Sequence, residues 1–285
     1  MVEAFKQHWP EYLMEAAALG LFMISACTFG VLFEYPDSPV RQALGNPDVR
    51  RVLMGLAMGA TAVSIIYSPF GKQSGAHMNP AVTLAFFRLG KIAAWDAVFY
   101  IAAQFAGGVA GVVLTASVLR HRLAYPSVNY VATLPGSSGV AAAFAAEFVI
   151  SFALMLVVLI VSNARTLNRW TGVFAGTLVA LYITFEAPIS GMSMNPARTL
   201  GSAYSAGIWD SVWIYFTAPP LAMLLAATVF QWQRGAHHVL CAKLHHENDR
   251  RCIFRCNYGC NDLRAIEPVR TVMRPRNRSF PEIVK

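Results

Sequence analysis

The chain has 285 residues, of which 56% are hydrophobic and only 13% are charged. An ordinary soluble domain carries roughly a quarter charged residues, so this composition argues against a soluble protein and favours a multi-pass membrane protein. The formal net charge is +8, and from position 234 onward eleven basic residues stand against five acidic ones. Beside membrane spans, such a basic tail more commonly meets anionic lipid headgroups than nucleic acid, so we expect a lipid bilayer and no nucleic acid as its surroundings.

Six long apolar stretches predict the membrane-spanning helices, because a helix needs roughly 20 residues to cross about 30 Å of hydrocarbon. Glu3, Glu11 and Glu15 lie in or before the first stretch, so we expect a permanent span there rather than a cleaved signal peptide. Six spans place both chain ends on one side of the membrane, and the basic tail predicts that this side is cytoplasmic. In chain order the stretches lie at about 13–33, 52–67, 93–118, 140–161, 170–187 and 212–230.

The six stretches fall into two similar halves. The first half, at about 11–120, has Glu15 in its first span, and the second half, at about 140–232, has Glu147 in its first span. Three spans per half mean that the second half enters the membrane from the opposite face. The sequence therefore predicts an inverted 3+3 repeat, a plan in which the working site lies at the interface between the repeats.

One polar phrase occurs once in each half, as SGAHMNPAVTL at 74–84 and as SGMSMNPARTL at 190–200, with eight of eleven positions identical. Asparagine is a favoured N-cap, and proline is well tolerated at the first helical position. Asn79 and Asn195 therefore predict the starts of two helices, each too short to span. The alternative is that both asparagines only cap helices and have no role in a pathway.

Inversion of the two halves would bring these half-helices together near the middle of the membrane. Each helix N-terminus carries about half a positive charge, which opposes cations and protons but not neutral polar molecules. The loop that precedes each half-helix is tolerated in a membrane only where it is buried or lines a water-filled path. The phrase therefore predicts a pathway for neutral solutes with two asparagine amides facing it.

Three charged residues within the apolar regions extend this prediction. Arg198 stands where the first copy of the phrase has Val82, and a full charge at that depth is costly in lipid. We expect Arg198 in a water-filled constriction, with snorkelling to the membrane surface as the alternative. Glu15 and Glu147 are candidates for proton-relay carboxylates or for structural support.

The doubled Asn-Pro-Ala, the flanking Ser-Gly, Arg198 and the two glutamates together resemble the aquaporin, or major intrinsic protein, family over about residues 11–232. The resemblance implies an all-α membrane protein with six transmembrane helices and two re-entrant half-helices. It also implies a homotetramer of passive water channels with no enzymatic activity and no cofactor. Glu15 and Glu147 would support the re-entrant loops, and His77 would line the cytoplasmic vestibule, unless it is an ordinary loop histidine. The pore centre would consist of Asn79, Pro80, Ala81, Asn195, Pro196 and Ala197.

The family resemblance further implies a selectivity filter of four residues. Counting from the second motif gives Arg198, Met192 and Ile183, and the position on the second span falls at or next to Met58. Strict water channels of this family usually have an aromatic residue and a histidine where Met58 and Ile183 stand. Glycerol facilitators usually have an acid after the arginine, where this chain has Thr199. The resemblance favours the water-channel branch, with a glycerol-type facilitator of small uncharged solutes as the alternative and a proton-coupled carrier as a more distant one.

Residues 234–285 do not belong to this resemblance. We predict a channel domain at 1–233 and a cytoplasmic tail at 234–285 that is partly disordered, in a protein of the cell (inner) membrane. Four of the five cysteines lie in this tail, but their spacing does not match the usual paired zinc ribbons, so they are weak metal candidates. These candidates are Cys241, Cys252, Cys256 and Cys260.

Overall fold

The computed structural model of the protein describes residues 1–258, and all regular structure within them is helical. Three single turns of 3₁₀ helix, at Asn129–Val131, Asn168–Trp170 and Ala236–His238, join or follow the α-helices. The α-helices are α1 (Val2–Glu34), α2 (Pro39–Ala43), α3 (Pro47–Tyr67), α4 (Pro69–Ser74), α5 (Pro80–Arg88), α6 (Ala94–Leu119), α7 (His121–Ala124), α8 (Gly139–Ser162), α9 (Thr171–Phe185), α10 (Ala187–Ser190), α11 (Pro196–Ala206) and α12 (Val212–Arg234).

Five helices in the described chain, α1, α3, α6, α8 and α12, are long and apolar enough to cross a membrane. The fifth predicted stretch, at 170–187, forms α9, which has only 15 residues and ends before Glu186. A helix of this length covers about 22 Å, so α9 is shorter than an ordinary span. Pro188 follows at the start of α10 and disfavours a continuous helix across this point. With α9 as the remaining span, the predicted bundle of six helices and two half-helices is confirmed.

Two short helices, α5 and α11, follow the repeated phrase. The Asn79 Oδ1 accepts the Ala81 N–H at 2.9 Å, and the Asn195 Oδ1 accepts the Ala197 N–H at 3.0 Å. Each helix therefore begins at the proline, behind an asparagine cap, as predicted. They have 9 and 11 residues, which is too short to cross the hydrocarbon region.

The two halves use the same helix pairings. Helix α1 packs mainly on α6, and its counterpart α8 packs mainly on α12, while α3 and α9 join the halves at the centre. Small residues allow this close approach, as is usual between membrane helices: a Cβ on Gly59 of α3 would lie 2.5 Å from the Gly176 carbonyl oxygen of α9. Large apolar side chains cover the outside of the bundle, where lipid would contact them, among them Leu56, Val118, Val149, Phe185 and Leu221.

After α12 the chain turns back across the end of the bundle. Residues 239–258, called the tail segment below, lie on the bundle face that also carries the start of α1, and we call this side the tail face. Val239, Ala242 and Lys243 are buried there. The tail segment thus packs against the channel domain, in contrast to a solvated tail, while the predicted tail beyond position 258 lies outside the described residues.

Candidate functional site

A cavity of about 430 Å³ lies along the middle of the bundle. Its walls come from both halves of the chain, namely from α1, α3, α8, α9 and the loops before α5 and α11. Pro47 and Ser127 line the end opposite the tail face, and Leu244 of the tail segment lines the other end. The cavity therefore lies at the interface between the repeats, where the inverted plan predicts the working site.

Asn79 and Asn195 both line this cavity. The Asn79 Nδ2 donates to the Met194 carbonyl at 2.7 Å, and the Asn195 Nδ2 donates to the Met78 carbonyl at 2.7 Å. Each cap is therefore hydrogen-bonded to the loop of the other repeat. An amide nitrogen carries two N–H groups, so the second N–H of each asparagine is left to face the cavity.

The other four residues of the two Asn-Pro-Ala motifs lie behind the asparagines. Pro80, Ala81, Pro196 and Ala197 are buried, and none of them lines the cavity. Their contribution is to start and pack the half-helices rather than to contact a solute.

The backbone before each half-helix adopts the same unusual conformation in both repeats. Gly75 and Gly191 have φ values of 93° and 81°, and positive φ recurs at Met78 (50°) and Met194 (54°). A left-handed conformation of a non-glycine residue costs of order 1–3 kcal/mol and persists only where the surroundings hold it. The two loops are therefore held in place by other parts of the bundle.

Glu15 and Glu147 provide that support. Each carboxylate is fully buried and accepts the backbone N–H groups of the two residues that precede the capping asparagine. These distances are 3.0 and 2.7 Å for Glu15 before Asn79, and 2.6 and 2.7 Å for Glu147 before Asn195. Among the hypotheses for these glutamates, the hydrogen bonds favour loop support over a proton relay.

Two tyrosines that the sequence analysis did not assign to the site complete the support. The Tyr100 hydroxyl donates to the Ser74 carbonyl at 2.7 Å, and the Tyr215 hydroxyl donates to the Ser190 carbonyl at 2.5 Å. The two serine hydroxyls in turn donate to the buried glutamates at 2.8 and 2.9 Å. The sequence signal is a tyrosine in the last span of each half, at nearly the same distance from the motif.

The four residues assigned to a filter, Arg198, Met192, Ile183 and Met58, all line the cavity. The Arg198 Nη1 donates to the Val131 carbonyl at 2.8 Å. Arg198 is therefore directed into the cavity wall and held by a backbone carbonyl, rather than extended to the membrane surface. The other three side chains make this part of the wall apolar.

His77 lies at the tail-face end of the cavity wall. Its Nδ1 is 3.1 Å from the Thr83 hydroxyl, and its Nε2 is 2.9 Å from the Ala242 carbonyl of the tail segment. Its ring stacks between Phe86 and Phe254, with centroid distances of 5.1 and 5.4 Å. The predicted vestibule residue is therefore covered by the tail segment.

A second cluster of polar side chains lies within the tail segment itself. The Sγ atoms of Cys241, Cys252 and Cys256 and a ring nitrogen of His246 lie within 4.8 Å of one another. Contact with the Cys241 thiol lowers the pKa of Cys252 to about 4 and that of Cys256 to about 6, while the same contacts raise the pKa of Cys241. The structure adds His246 to three of the predicted metal candidates, and the fourth, Cys260, lies outside the described residues.

Comparisons with known proteins agree with this architecture. A family model described as "Major intrinsic protein" matches residues 3–230. Similar curated proteins include Aquaporin NIP6-1 of Arabidopsis thaliana, 39% identical over 186 residues, and Aquaporin NIP2-3 of Zea mays, 31% identical over 218 residues. The first match covers 64% of this chain and 59% of the relative, less than two thirds of its length, and the second covers 76% and 70%.

Among solved structures, the chain is similar to the X-ray structure of the aquaglyceroporin from Plasmodium falciparum. The TM-score is 0.63 at 19% sequence identity, and the match covers 78% of this chain and 95% of the other. At this identity the similarity concerns the fold alone.

Proposed function

Because the chain belongs to the major intrinsic protein family, we propose that it is a passive channel for water and other small neutral solutes that excludes ions and protons. The observation that carries this proposal is a single cavity lined by both capping asparagines and by Arg198. Flow through such a cavity needs no catalysis and no cofactor, since the solute is moved only by its own gradient.

Exclusion of charge would follow from electrostatics. The N-termini of α5 and α11 each contribute about half a positive charge at the asparagines, and Arg198 adds a full positive charge along the same path. At an effective dielectric constant of about 20, two unit charges 4 Å apart repel by about 4 kcal/mol. A cation or a migrating proton would meet this barrier, as in aquaporin-type channels generally, whereas a neutral molecule would not.

The proposed filter also bears on which neutral solutes pass. Met58, Ile183 and Met192 offer no strong hydrogen-bonding group, so Arg198 and backbone carbonyls would replace the hydrogen bonds that a solute loses. Such a wall suits water, and it also suits solutes with one apolar and one polar edge, such as glycerol or urea. We propose water as the main solute and a glycerol-type facilitator as the alternative.

A proton-coupled carrier built on Glu15 and Glu147 is the rival from another class. Both carboxylates are fully buried and accept loop N–H groups in the structure, and protonation of either would remove an acceptor from a loop. We therefore expect transport in reconstituted vesicles to be independent of an imposed pH gradient. Uptake that stops when the pH gradient is collapsed would contradict the proposal and favour the carrier.

We further propose that the tail face is cytoplasmic, that the protein resides in the cell (inner) membrane and that it forms a homotetramer with one pathway per subunit. The excess of basic residues after position 234 supports the orientation, and membership of the family supports the tetramer. Protease digestion of the tail in sealed right-side-out and inside-out vesicles would test the orientation. Chemical cross-linking in the membrane would test the tetramer.

A further inference from the structure

The tail segment covers the tail-face end of the cavity. Leu244 is buried and forms part of the cavity wall, and Phe254 stacks on His77 beside it. A Cβ placed on Gly75 would lie only 2.8 Å from the Phe254 ring, so the tail segment sits directly on the first re-entrant loop. Any solute that leaves the pathway on this side must pass the tail segment.

Hydrogen bonds attach the tail segment to both halves of the bundle, from its first residues to its last. They therefore fix the tail segment across the tail-face end of the cavity, called the mouth below, rather than at one edge of that opening. The pairs, in chain order, are Leu240 N with Asn163 Oδ1 (2.7 Å), Leu244 N with Gly75 O (3.1 Å), Arg255 N with Lys91 O (2.9 Å) and Tyr258 Oη with Ser162 O (2.9 Å).

The tail segment contains neither helix nor strand, so little regular backbone hydrogen bonding supports its shape. The side chains that come together within it are instead the three thiols of Cys241, Cys252 and Cys256 and the imidazole of His246. The Sγ atoms of Cys241 and Cys252 are 3.6 Å apart, and the Cys256 Sγ is 3.0 Å from the His246 Nε2. Short segments of this kind commonly gain their folding free energy from a bound metal.

The geometry of the cluster agrees with that of a structural zinc site. Bonds of about 2.3 Å from zinc to sulfur and about 2.0 Å to nitrogen place the ligand atoms of a tetrahedron about 3.5–3.8 Å apart. The four ligand atoms here lie within 4.8 Å of one another, so small side-chain adjustments would complete the site. Three thiolates and one histidine are a ligand set that structural zinc sites use.

The surroundings of the cluster also suit a metal with three thiolate ligands, which would leave one net negative charge. The Lys243 ammonium is buried nearby, and its Nζ donates to the Arg250 and Arg251 carbonyls at 3.0 and 2.7 Å. The Lys243 backbone N–H also donates to the Cys241 Sγ at 3.5 Å. Such outer contacts orient and stabilise metal ligands.

We propose that Cys241, His246, Cys252 and Cys256 bind one zinc-like divalent cation, and that this metal holds the tail segment as a plug over the tail-face mouth of the pathway. Loss of the metal leaves the three thiols and the imidazole without a common ligand, which weakens the fold of the tail segment and allows Leu244 and Phe254 to leave the tail-face end of the cavity. The metal site does not depend on the proposed transport function. The control of permeability by the tail segment rests on that proposed function.

Metal analysis of the purified full-length protein tests the site. After dialysis against Zn²⁺ under reducing conditions, we expect one zinc per chain in the wild type and at least about a tenfold loss of affinity in Cys252→Ser and in His246→Ala. Replacement by Co²⁺ should give thiolate-to-metal charge-transfer absorption and the visible bands of a tetrahedral ion. Cys27→Ser and His238→Ala are the matched controls, because Cys27 is buried in α1 and His238 is exposed, and both should keep the metal.

Three results would overturn the metal site. They are a wild type that binds no zinc, ligand variants that bind zinc as tightly as the controls, and thiol titration that finds a Cys241–Cys252 disulfide instead of free thiols under those reducing conditions. Circular dichroism checks that the variants keep their helices.

Osmotic shrinkage of vesicles containing the full-length protein tests the plug. A membrane-permeant chelator should raise water permeability of the wild type severalfold, and added Zn²⁺ should reverse the rise. Cys252→Ser should be permeable from the start and unaffected by the chelator, and His238→Ala should behave as the wild type. A wild type that binds zinc but conducts equally with and without chelator would overturn the plug. If all proteins, chelated or not, conduct no more than empty vesicles, the proposed transport function fails while the metal result stands.

Discussion

The two re-entrant loops share their support and differ in what faces the pathway. Both have a buried glutamate that accepts two loop N–H groups, a tyrosine that donates to the serine carbonyl and an asparagine cap bonded to the other loop. The first loop lies under the tail segment and leads into α5, which carries Val82, whereas the second leads into α11, which carries Arg198 in the cavity wall. The repeat therefore supplies a common scaffold, and single positions give each half its own chemistry.

Substitution of Glu15 or Glu147 should give the largest loss of thermal stability, and the loss should be equal in the two halves. Glu15→Gln and Glu147→Gln each replace a carboxylate oxygen by an amide that cannot accept a loop N–H. Leaving a buried donor unsatisfied costs about 1–3 kcal/mol, so both variants should unfold at markedly lower temperature in detergent. Glu3→Gln is the control, because Glu3 is exposed near the start of α1 and surface substitutions usually change stability by no more than about 0.5 kcal/mol. A large loss in only one half would show that the two loops are not supported alike.

The Arg198→Val substitution gives α11 the residue that α5 has at the equivalent position, Val82. The expected result is a protein that folds and still conducts water but leaks protons and small cations, since the full positive charge is gone. Because 1.4 kcal/mol corresponds to a factor of ten, complete loss of a barrier of about 4 kcal/mol predicts a rise in leak of up to about a thousandfold. A pH-sensitive dye inside the vesicles measures this leak, with chelator present throughout.

Arg51→Val serves as the control for that measurement. Arg51 also lines the cavity, but it is partly exposed and pairs with Asp48. If Arg198→Val remains as tight to protons as the wild type, the difference between the two loops is not the source of charge exclusion.

The tyrosines should give the smallest effects. Tyr100→Phe and Tyr215→Phe each remove one hydrogen bond to a serine carbonyl, for a loss of about 1 kcal/mol in the free energy of unfolding. The control is Tyr125→Phe, an exposed tyrosine outside both loops. Thermal unfolding of all three variants in the same detergent would measure the losses. A Tyr125→Phe variant as unstable as the other two would show that the hydrogen bonds to the serine carbonyls give no specific support to the loops.

Much of this scaffold could be predicted from the sequence because its signals are local. An Asn-Pro pair predicts a helix start by itself, at Asn79 and at Asn195. Because the two copies belong to inverted halves, the sequence also predicts that both helix starts lie close together. Glu15 and Glu147 stand out because a carboxylate within an apolar span needs a partner.

The remaining features depend on distant parts of the chain. Tyr100 and Tyr215 recur at nearly the same distance from the motif, but an aromatic residue in an apolar stretch does not indicate which carbonyl its hydroxyl contacts. His246 joins the cysteines only because the tail segment reverses direction between positions 241 and 256, so their spacing along the chain does not indicate a site. The covering of His77 likewise follows from packing between residues more than 150 positions apart.

Stopped-flow measurement of water, glycerol and urea permeability in the same vesicles, with the full-length protein and the metal chelated, would decide whether the protein is a passive channel for neutral solutes. We predict a water permeability well above that of empty vesicles and above the glycerol and urea permeabilities, with no dependence on a pH gradient. Permeability equal to that of empty vesicles for water, glycerol and urea would contradict a passive channel, and so would flux that appears only with a proton gradient.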